Sequence, residues 1–343
     1  MKANKETTIY DLAGKLNISV ATVSRALKDD AVVNKKTKKR IFDLAEKMGY
    51  RSNHFARNLR TQRTNTIGVI VPRLNSYFMS TVIAGIEDVA NSKGYNLIIS
   101  QSSESVQREI ASSKIMFNSR VDGLLISLAY DTENIEHYDS FFKKDVPVIF
   151  FDRVPEKNNC SSVLIDNRKA AYEATKHLIE EGCKKIVHIT ASSNRNVYVH
   201  RLQGYKQALG KFKIKFKEEY IINGNLSMEA GRGAAEKIMH LKPLPDAVFV
   251  ANDTCAVGCM LALQEAGLNI PTDIAVVGFN NDPMSEVVKP NLTTINYPGY
   301  QMGEMAARNL INHLNGSVSL HATDSILLRS ELIIRASSNR SGH

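Results

Sequence analysis

A chain of 343 residues, 43% hydrophobic and 23% charged, has the composition of two or three ordinary soluble domains, not of a disordered or fibrous protein. No apolar run reaches the ~18 residues that a membrane-spanning helix needs; residues 1–8 are polar and four cysteines make no disulfide scaffold, so a reducing cytoplasm is expected, with no membrane partner. The formal charge of +9 is carried wholly by residues 1–65, which hold 15 Lys and Arg against 6 Asp and Glu, while residues 66–343 hold 29 of each.

Ile9, Leu12, Ala13 and Leu16 fall at i, i+3, i+4 and i+7, one apolar face of a short helix. Asn17 and Ile18 interrupt that pattern. Ser19 is suited to cap a second helix, its hydroxyl accepting a free backbone N–H. That helix turns Val23 and Leu27 inward and leaves Ala21, Thr22 and Arg25 free. A third helix is expected from Asn34, with Ile41, Leu44, Ala45 and Met48 buried and Gly49 as its stop. Two short helices joined by a tight turn form a helix-turn-helix, whose second helix enters the DNA major groove. Lys35, Lys36, Lys38, Lys39 and Arg40 would alone describe a solvated helix face. Beside a helix-turn-helix, the basic excess is the footprint of phosphate binding.

After a polar, basic stretch to residue 66, short Val- and Ile-rich runs alternate with helical stretches. Strands are expected at 67–71, 96–100, 123–127, 146–151, 162–165, 185–190, 220–222, 247–251, 274–279 and 292–295. Helices are expected at 78–92, 106–118, 169–181, 202–211, 228–239, 256–266 and 299–315. This alternation predicts an α/β core of two doubly wound, Rossmann-like subdomains, with a ligand cleft where the carboxyl ends of their strands face each other. The marks of an enzyme are missing: there is no phosphate loop, nucleophile elbow, dinucleotide fingerprint after the first strand, or zinc-protease helix. No cofactor or metal is implied. His188 reads as a core histidine, and Met228 and Met239 as core filler. Cys255 and Cys259 read as buried, reduced thiols.

Nearly the whole chain resembles the lac repressor/galactose repressor family of bacterial transcription regulators. The runs that carry the resemblance are T-I-Y-D-L-A (8–13), A-T-V-S-R-A-L (21–27), a long run over 53–72, D-G-L-L-I (122–126), F-D-R (151–153), R-x-x-G-Y (201–205), V-A-N-D (250–253), D-I-A-V-V-G-F (273–279) and P-x-L-T-T-I (290–295). The resemblance implies a helix-turn-helix headpiece at 1–50, a hinge helix and linker at 51–65, and a periplasmic binding protein-like core. In that core an N-terminal subdomain takes 66–163 with 293–325, and a C-terminal subdomain takes 164–292 with 326–336. The chain would then cross between them near Leu164, Leu292 and Ser325. The polar run after Arg335 lacks apolar heptads, so residues 337–343 are expected to be a disordered tail and the assembly to stop at a homodimer.

By the same resemblance Val20, Ala21 and Arg25 read bases. Arg25 has the fork for a guanine edge, and Val20 and Ala21 suit thymine methyls. Ser19, Thr22, Ser24 and Asn34 correspond to phosphate contacts. The hinge maps onto 53–60, where Asn53, Ala56 and Leu59 would meet the minor groove, with Leu59 as the wedge; Ser52 stands where many relatives have proline. The effector site maps onto Tyr77, Phe78, Asp152, Arg195, Arg201, Leu226, Asn252 and Asn280. Leu226 replaces an aromatic ring and Asn280 an aspartate of several relatives, with Asn281 and Asp282 following directly. The expected function is a repressor of transcription, binding double-stranded operator DNA under control of a small molecule, a sugar or sugar derivative. The alternatives are a solute-binding protein, which should carry a signal peptide and no basic headpiece, and an α/β enzyme, which should show one of the missing motifs.

Overall fold

The computed structural model describes residues 7–50, 63–155, 160–191, 195–320 and 325–340. The chain forms two compact units, Met1–Thr64 and Asn65–His343.

The first unit holds α1 (Ile9–Leu16), α2 (Val20–Leu27) and α3 (Lys35–Lys47). Each begins at a residue whose side chain satisfies a free backbone N–H, as the four unpaired donors of a helix start require. Thr8 and Asp11 form a reciprocal capping box at α1, Ser19 caps α2 and Asn34 caps α3. The turn between α1 and α2 passes through Asn17 in the left-handed conformation. Leu12, Ala13, Val23, Ala26, Val33, Ile41 and Ala45 make the core. Leu27, Leu44 and Met48 are half-buried against it. Gly49 takes the left-handed φ of +60° that ends α3.

The second unit holds two six-stranded sheets. In chain order its elements are β1 (Thr66–Val71), α4 (Tyr77–Ser92), β2 (Asn96–Gln101), α5 (Val106–Asn118), β3 (Gly123–Ile126), α6 (Asp139–Phe142), β4 (Val148–Phe151), β5 (Ser162–Ile165), α7 (Asn167–Glu180), β6 (Ile186–Ala191), α8 (Asn196–Lys211), β7 (Ile221–Gly224), α9 (Met228–His240), β8 (Ala247–Val250), α10 (Asp253–Glu265), β9 (Ala275–Asn280), α11 (Met284–Val287), β10 (Thr293–Asn296), α12 (Gly299–Leu314), β11 (Ser325–Leu328) and β12 (Glu331–Ile333). The first sheet runs β11-β5-β4-β3-β1-β2 and is parallel throughout. The second runs β12-β10-β9-β8-β6-β7 and is parallel except for the edge strand β12. Central strands β3, β4 and β8 are buried at every residue, because helices cover both faces.

The helices pair tightly at glycines. Gly85 of α4 faces the Tyr300 carbonyl of α12, and Gly303 of α12 faces the Val82 carbonyl of α4. Gly204 of α8 meets Arg168 of α7, while Gly231 and Gly258 join α9 to α10. A Cβ at any of these positions would run into backbone.

Each crossing between subdomains lies beyond its expected place. β5 completes the first sheet, so the first crossing is at Asp166 and not at residues 163–164. β10 pairs with β9 in the second sheet, which puts residues 293–296 there and moves the second crossing from Leu292 to Tyr297 and Pro298. β11 pairs with β5 and β12 with β10, so the third crossing lies between Leu328 and Glu331, not at Ser325. In each case pairing continues to the last residue with a ladder partner.

The expected disordered tail is also corrected. Ser337 and Ser338 are fully buried. The Ser337 hydroxyl donates to the Val276 carbonyl at 2.6 Å and accepts the Thr293 N–H at 2.8 Å. The Ser338 hydroxyl bonds Thr293 Oγ1 and His177 Nε2. Arg340 reaches the carbonyls of Pro271 and Thr272. Small serines supply hydrogen bonds here without needing an apolar pattern. Residues 341–343 lie outside those described.

Candidate functional site

In the first unit, α2 presents Ala21 and Arg25 to solvent on one face, four residues apart, while Val20 is half-buried against the core. Ser19 Oγ accepts the Thr22 N–H at 3.1 Å and lies 2.8 Å from Thr22 Oγ1. Asn34 Oδ1 accepts the Thr37 N–H at 2.8 Å. Ser24 is half-buried. The expected phosphate-contacting residues Ser19, Thr22 and Asn34 therefore sit at the amino ends of α2 and α3, where free N–H groups and the helix dipole favour anions. Of the basic run, Lys35, Lys36, Lys39 and Arg40 are exposed, but Lys38 is held by Asp29 at 2.6 Å. Asn53, Ala56 and Leu59, the expected minor-groove residues, lie outside the described residues.

In the second unit, a cavity of about 950 Å³ opens between the two sheets. Its walls come from the segments that follow β1, β2, β3, β4, β6, β7, β8, β9 and β10, the carboxyl ends where open α/β sheets bind ligands. Tyr77, Phe78, Asp152, Arg201, Leu226, Asn252 and Asn280 all line it. Arg195 does not; it lies just ahead of α8, outside the cavity wall. Among the lining groups not foreseen are Glu104, Tyr130, Arg153, Tyr198 and Tyr297. Arg153 stood in the F-D-R run as a signal. Tyr297 was masked by placing the crossing too early.

Arg201 is buried. Its Nε donates to Asn167 Oδ1 at 2.8 Å and its Nη1 to the Ala251 carbonyl at 2.7 Å. The guanidinium lies 3.6 Å above the Phe279 ring. Among the described residues Nη2 has no hydrogen-bond partner, so one edge of the fork remains for an acceptor. Burial lowers the Arg201 pKa from its ordinary value.

Asp152 takes a positive φ of 57° at the end of β4, which turns its carboxylate inward. Tyr297 donates to its Oδ1 at 2.7 Å and Ser127 to its Oδ2 at 3.3 Å. Burial raises its pKa against the pull of Arg153, Tyr297 and Arg201. Phe78 stacks on Tyr297 with ring centroids 4.3 Å apart. On the first-sheet wall Glu104 pairs with Arg153 at 2.6 Å and with Arg73 at 3.3 Å. Two links cross the cleft. Arg153 donates to the Tyr198 hydroxyl, and the Asn196 amide bonds both the Asp152 carbonyl and the Val154 N–H.

On the second-sheet wall Asn252 caps α10 and donates to the Leu226 carbonyl at 3.0 Å, holding Leu226 at a φ of +58°. The loop after β9 is held from behind by Asp253, which accepts the Asp282 N–H at 2.7 Å and the Thr294 hydroxyl at 2.7 Å. Burial pushes Asp253 up to about 7 and Asp282 up to about 6. His188 is fully buried with Nδ1 on the Phe249 carbonyl, while its Nε2 has no partner among the described residues. Cys255 and Cys259 are buried free thiols raised by burial. The described residues contain no cluster able to hold a metal ion.

A helix-turn-helix on the same chain as a two-sheet core with a cleft at its strand ends defines a DNA-binding regulator with a binding-protein-like core. Residues 8–53 match the model of the bacterial regulatory proteins of the lacI family, and residues 175–338 that of the periplasmic binding protein-like domain. The catabolite control protein A of Priestia megaterium is 34% identical over 309 residues, 90% of this chain and 92% of its own length. The lac repressor dimer bound to operator and the anti-inducer ONPF matches with a TM-score of 0.85 at 25% identity, over 97% of this chain and 99% of that one. The transcriptional regulator CelR in complex with cellobiose matches with a TM-score of 0.73 at 25% identity, over 97% and 100%. The chain belongs to the lacI family of bacterial regulatory proteins. It is a transcription regulator and not an enzyme.

Proposed function

We propose that this protein is a cytoplasmic repressor that binds two-fold operator DNA as a homodimer and changes its operator affinity when a sugar or sugar derivative occupies the cleft. The observation that carries this reading is the cavity between the sheets, lined by Arg201, Asp152 and Asn252 and ringed by Phe78, Tyr198 and Tyr297. Fixed polar groups among aromatic faces suit a ring bearing hydroxyls. A solved relative that holds cellobiose, and another that is a dimer on operator, support the same reading. No helix among the described residues is long and apolar enough to cross a membrane, which agrees with a cytoplasmic site of action.

On this reading Arg25, Val20 and Ala21 read bases, Ser19, Thr22, Ser24 and Asn34 contact phosphates, and Asn53, Ala56 and Leu59 serve the minor groove. The effector acts through its differential affinity for two arrangements of the core subdomains. The contacts that distinguish them include the Arg153–Tyr198 and Asn196 links across the cleft. The test is thermal-shift screening of the full-length protein against neutral sugars, amino sugars and sugar phosphates, followed by operator binding with each hit. A ligand at 100 times its dissociation constant adds about 2.7 kcal/mol of stability. Hits that leave operator affinity unchanged would refute control by the cleft.

A further inference from the structure

Helix α5 buries Glu109, Ser112, Ser113 and Met116, which fall at i, i+3, i+4 and i+7 on one face. An inward stripe of that kind is normally apolar, yet here only Met116 is. The Ser112 and Ser100 hydroxyls bond each other at 2.7 Å, and Ser113 donates to the Ile110 carbonyl of its own helix at 2.9 Å. Glu109 is fully buried, and its carboxylate reaches the segment that follows β3. Its Oε2 accepts the Ala129 N–H at 2.5 Å and the Thr132 hydroxyl at 3.1 Å. Its Oε1 lies 2.9 Å from Nε2 of His137, its one ion-pair partner among the described residues.

Burying such a pair costs desolvation that mutual attraction barely offsets, and the attested use of buried polar pairs is to fix one arrangement of the chain around them. What Glu109 fixes is the loop 127–135, which is neither helix nor strand. Two further carboxylates hold the same loop. Glu104 accepts the Tyr130 N–H at 3.1 Å, and the Asp131 carboxylate accepts the Val106 N–H at the start of α5 at 2.7 Å. The loop carries the first-sheet half of a bridge between the two walls of the cleft. The Tyr130 and Tyr198 ring centroids are 6.0 Å apart. The Leu128 N–H bonds the Arg153 carbonyl at 3.1 Å. The Arg153 guanidinium lies 6.0 Å from the Tyr130 ring and 5.6 Å from the Tyr198 ring, and it donates to the Tyr198 hydroxyl. Tyr130, Arg153 and Tyr198 line the cavity, whereas Glu109, Thr132 and His137 do not.

We infer that Glu109 is a positioning residue of the effector site: from outside the cavity it sets the loop after β3, and with it the place of the Tyr130 ring in the bridge that joins the two walls. The inference rests on the sugar-effector reading above and adds a residue that controls affinity without touching the effector. An effector held by both walls binds most tightly to the arrangement in which the walls are joined. A loosened loop withdraws contacts from that arrangement, so affinity falls although no ligand contact is removed.

The chain has no tryptophan, so Tyr130→Trp places a single fluorescent reporter in the bridge. The test adds Glu109→Gln to this full-length protein and reads emission and iodide quenching without sugar. Thr132→Val, which removes one donor to the same carboxylate and keeps the side-chain shape, is the milder second variant, and melting temperatures show that each protein is folded. The expected result with either change is red-shifted emission and faster quenching. Unchanged emission and quenching in a folded variant would overturn the positioning role. Calorimetric titrations then use proteins that keep Tyr130, with cellobiose, glucose, ribose and glucosamine as probes. Glu109→Gln should weaken the best-binding probe by about threefold or more, as for residues that act through an intermediate element. In a Tyr130→Ala background it should have no further effect, because the ring it positions is gone. Equal weakening in both backgrounds would mark a general loss of stability and overturn the inference. Failure of every probe to bind the wild type would overturn the sugar reading and the effect on affinity with it, while the fluorescence comparison would still decide whether Glu109 holds Tyr130 in place.

Discussion

Arg25 projects from α2 into solvent and belongs to no part of the headpiece core, whose apolar positions are Val23 and Ala26 on the opposite face. Its removal should therefore leave the headpiece folded. Arg25→Ala should cost roughly 1–3 kcal/mol on the cognate operator and much less on random DNA. Competition binding at fixed salt checks this, and equal losses on both DNAs would remove Arg25 from base reading. In the cleft, Arg201→Ala should weaken effector binding about tenfold or more, because ligand oxygens would be left unpaired; calorimetry with the best-binding sugar reads it directly. A third prediction concerns pH. Burial raises Asp253 to about 7 and Asp282 to about 6, from 3.8. A carboxyl raised on folding contributes stability that is full below 3.8 and is lost as pH rises through its folded value. The effector-free protein should thus lose stability from these groups as pH climbs above 3.8, the loss being complete near 6 for Asp282 and near 7 for Asp253. Asp282→Asn removes the Asp282 share, so its melting temperature should gain on that of the wild type as pH rises. A constant difference across that window would show that Asp282 titrates normally.

At the scale of elements, the carboxyl-terminal segment is the strongest case of structure without an apolar signature. Residues 337–340 tie together β9, the start of β10, α7 and the loop before β9 through the Ser337, Ser338 and Arg340 bonds. Removing residues 337–343 should lower stability by about 1 kcal/mol for each hydrogen bond lost, several in all. A truncated protein that melts with the wild type would show that these bonds contribute nothing net. The same segment shows why sequence periodicity stops short. The buried strands β1, β3, β4 and β8 were visible as Val- and Ile-rich runs, and the headpiece helices as i, i+3, i+4 stripes with Thr8, Ser19 and Asn34 ahead of them. β11 alternates exposed and half-buried residues, with Leu327 facing solvent, and the three-residue β12 has no buried residue; both were missed. α8 and α10 begin at Asn196 and Asp253, earlier than apolar spacing suggests, because polar residues there bond into the cleft. Most of the cleft was legible since functional groups follow strand ends. Tyr297 was not, because its place depends on which sheet β10 joins.

For the whole molecule, a two-fold operator calls for two headpieces, and sedimentation at micromolar concentration should give a mass near twice 38.1 kDa. A monomer that binds operator with undiminished specificity would contradict that. The glycine contacts between helices have a consequence for how such a regulator responds. With Gly85 and Gly303 locking α4 to α12, Gly204 locking α8 to α7, and Gly231 and Gly258 locking α9 to α10, helices cannot slip past one another without backbone collision. Soft, graded shear within a layer is thereby closed off, and the compliance of the core is confined to the three connecting strands. What remains is movement of one subdomain as a body against the other. Spin labels placed across the cleft should report two distances whose weights change with sugar concentration, and no continuum between them. Effectors of different chemistry would differ in how far they tip the balance, while the two positions of the balance stay the same.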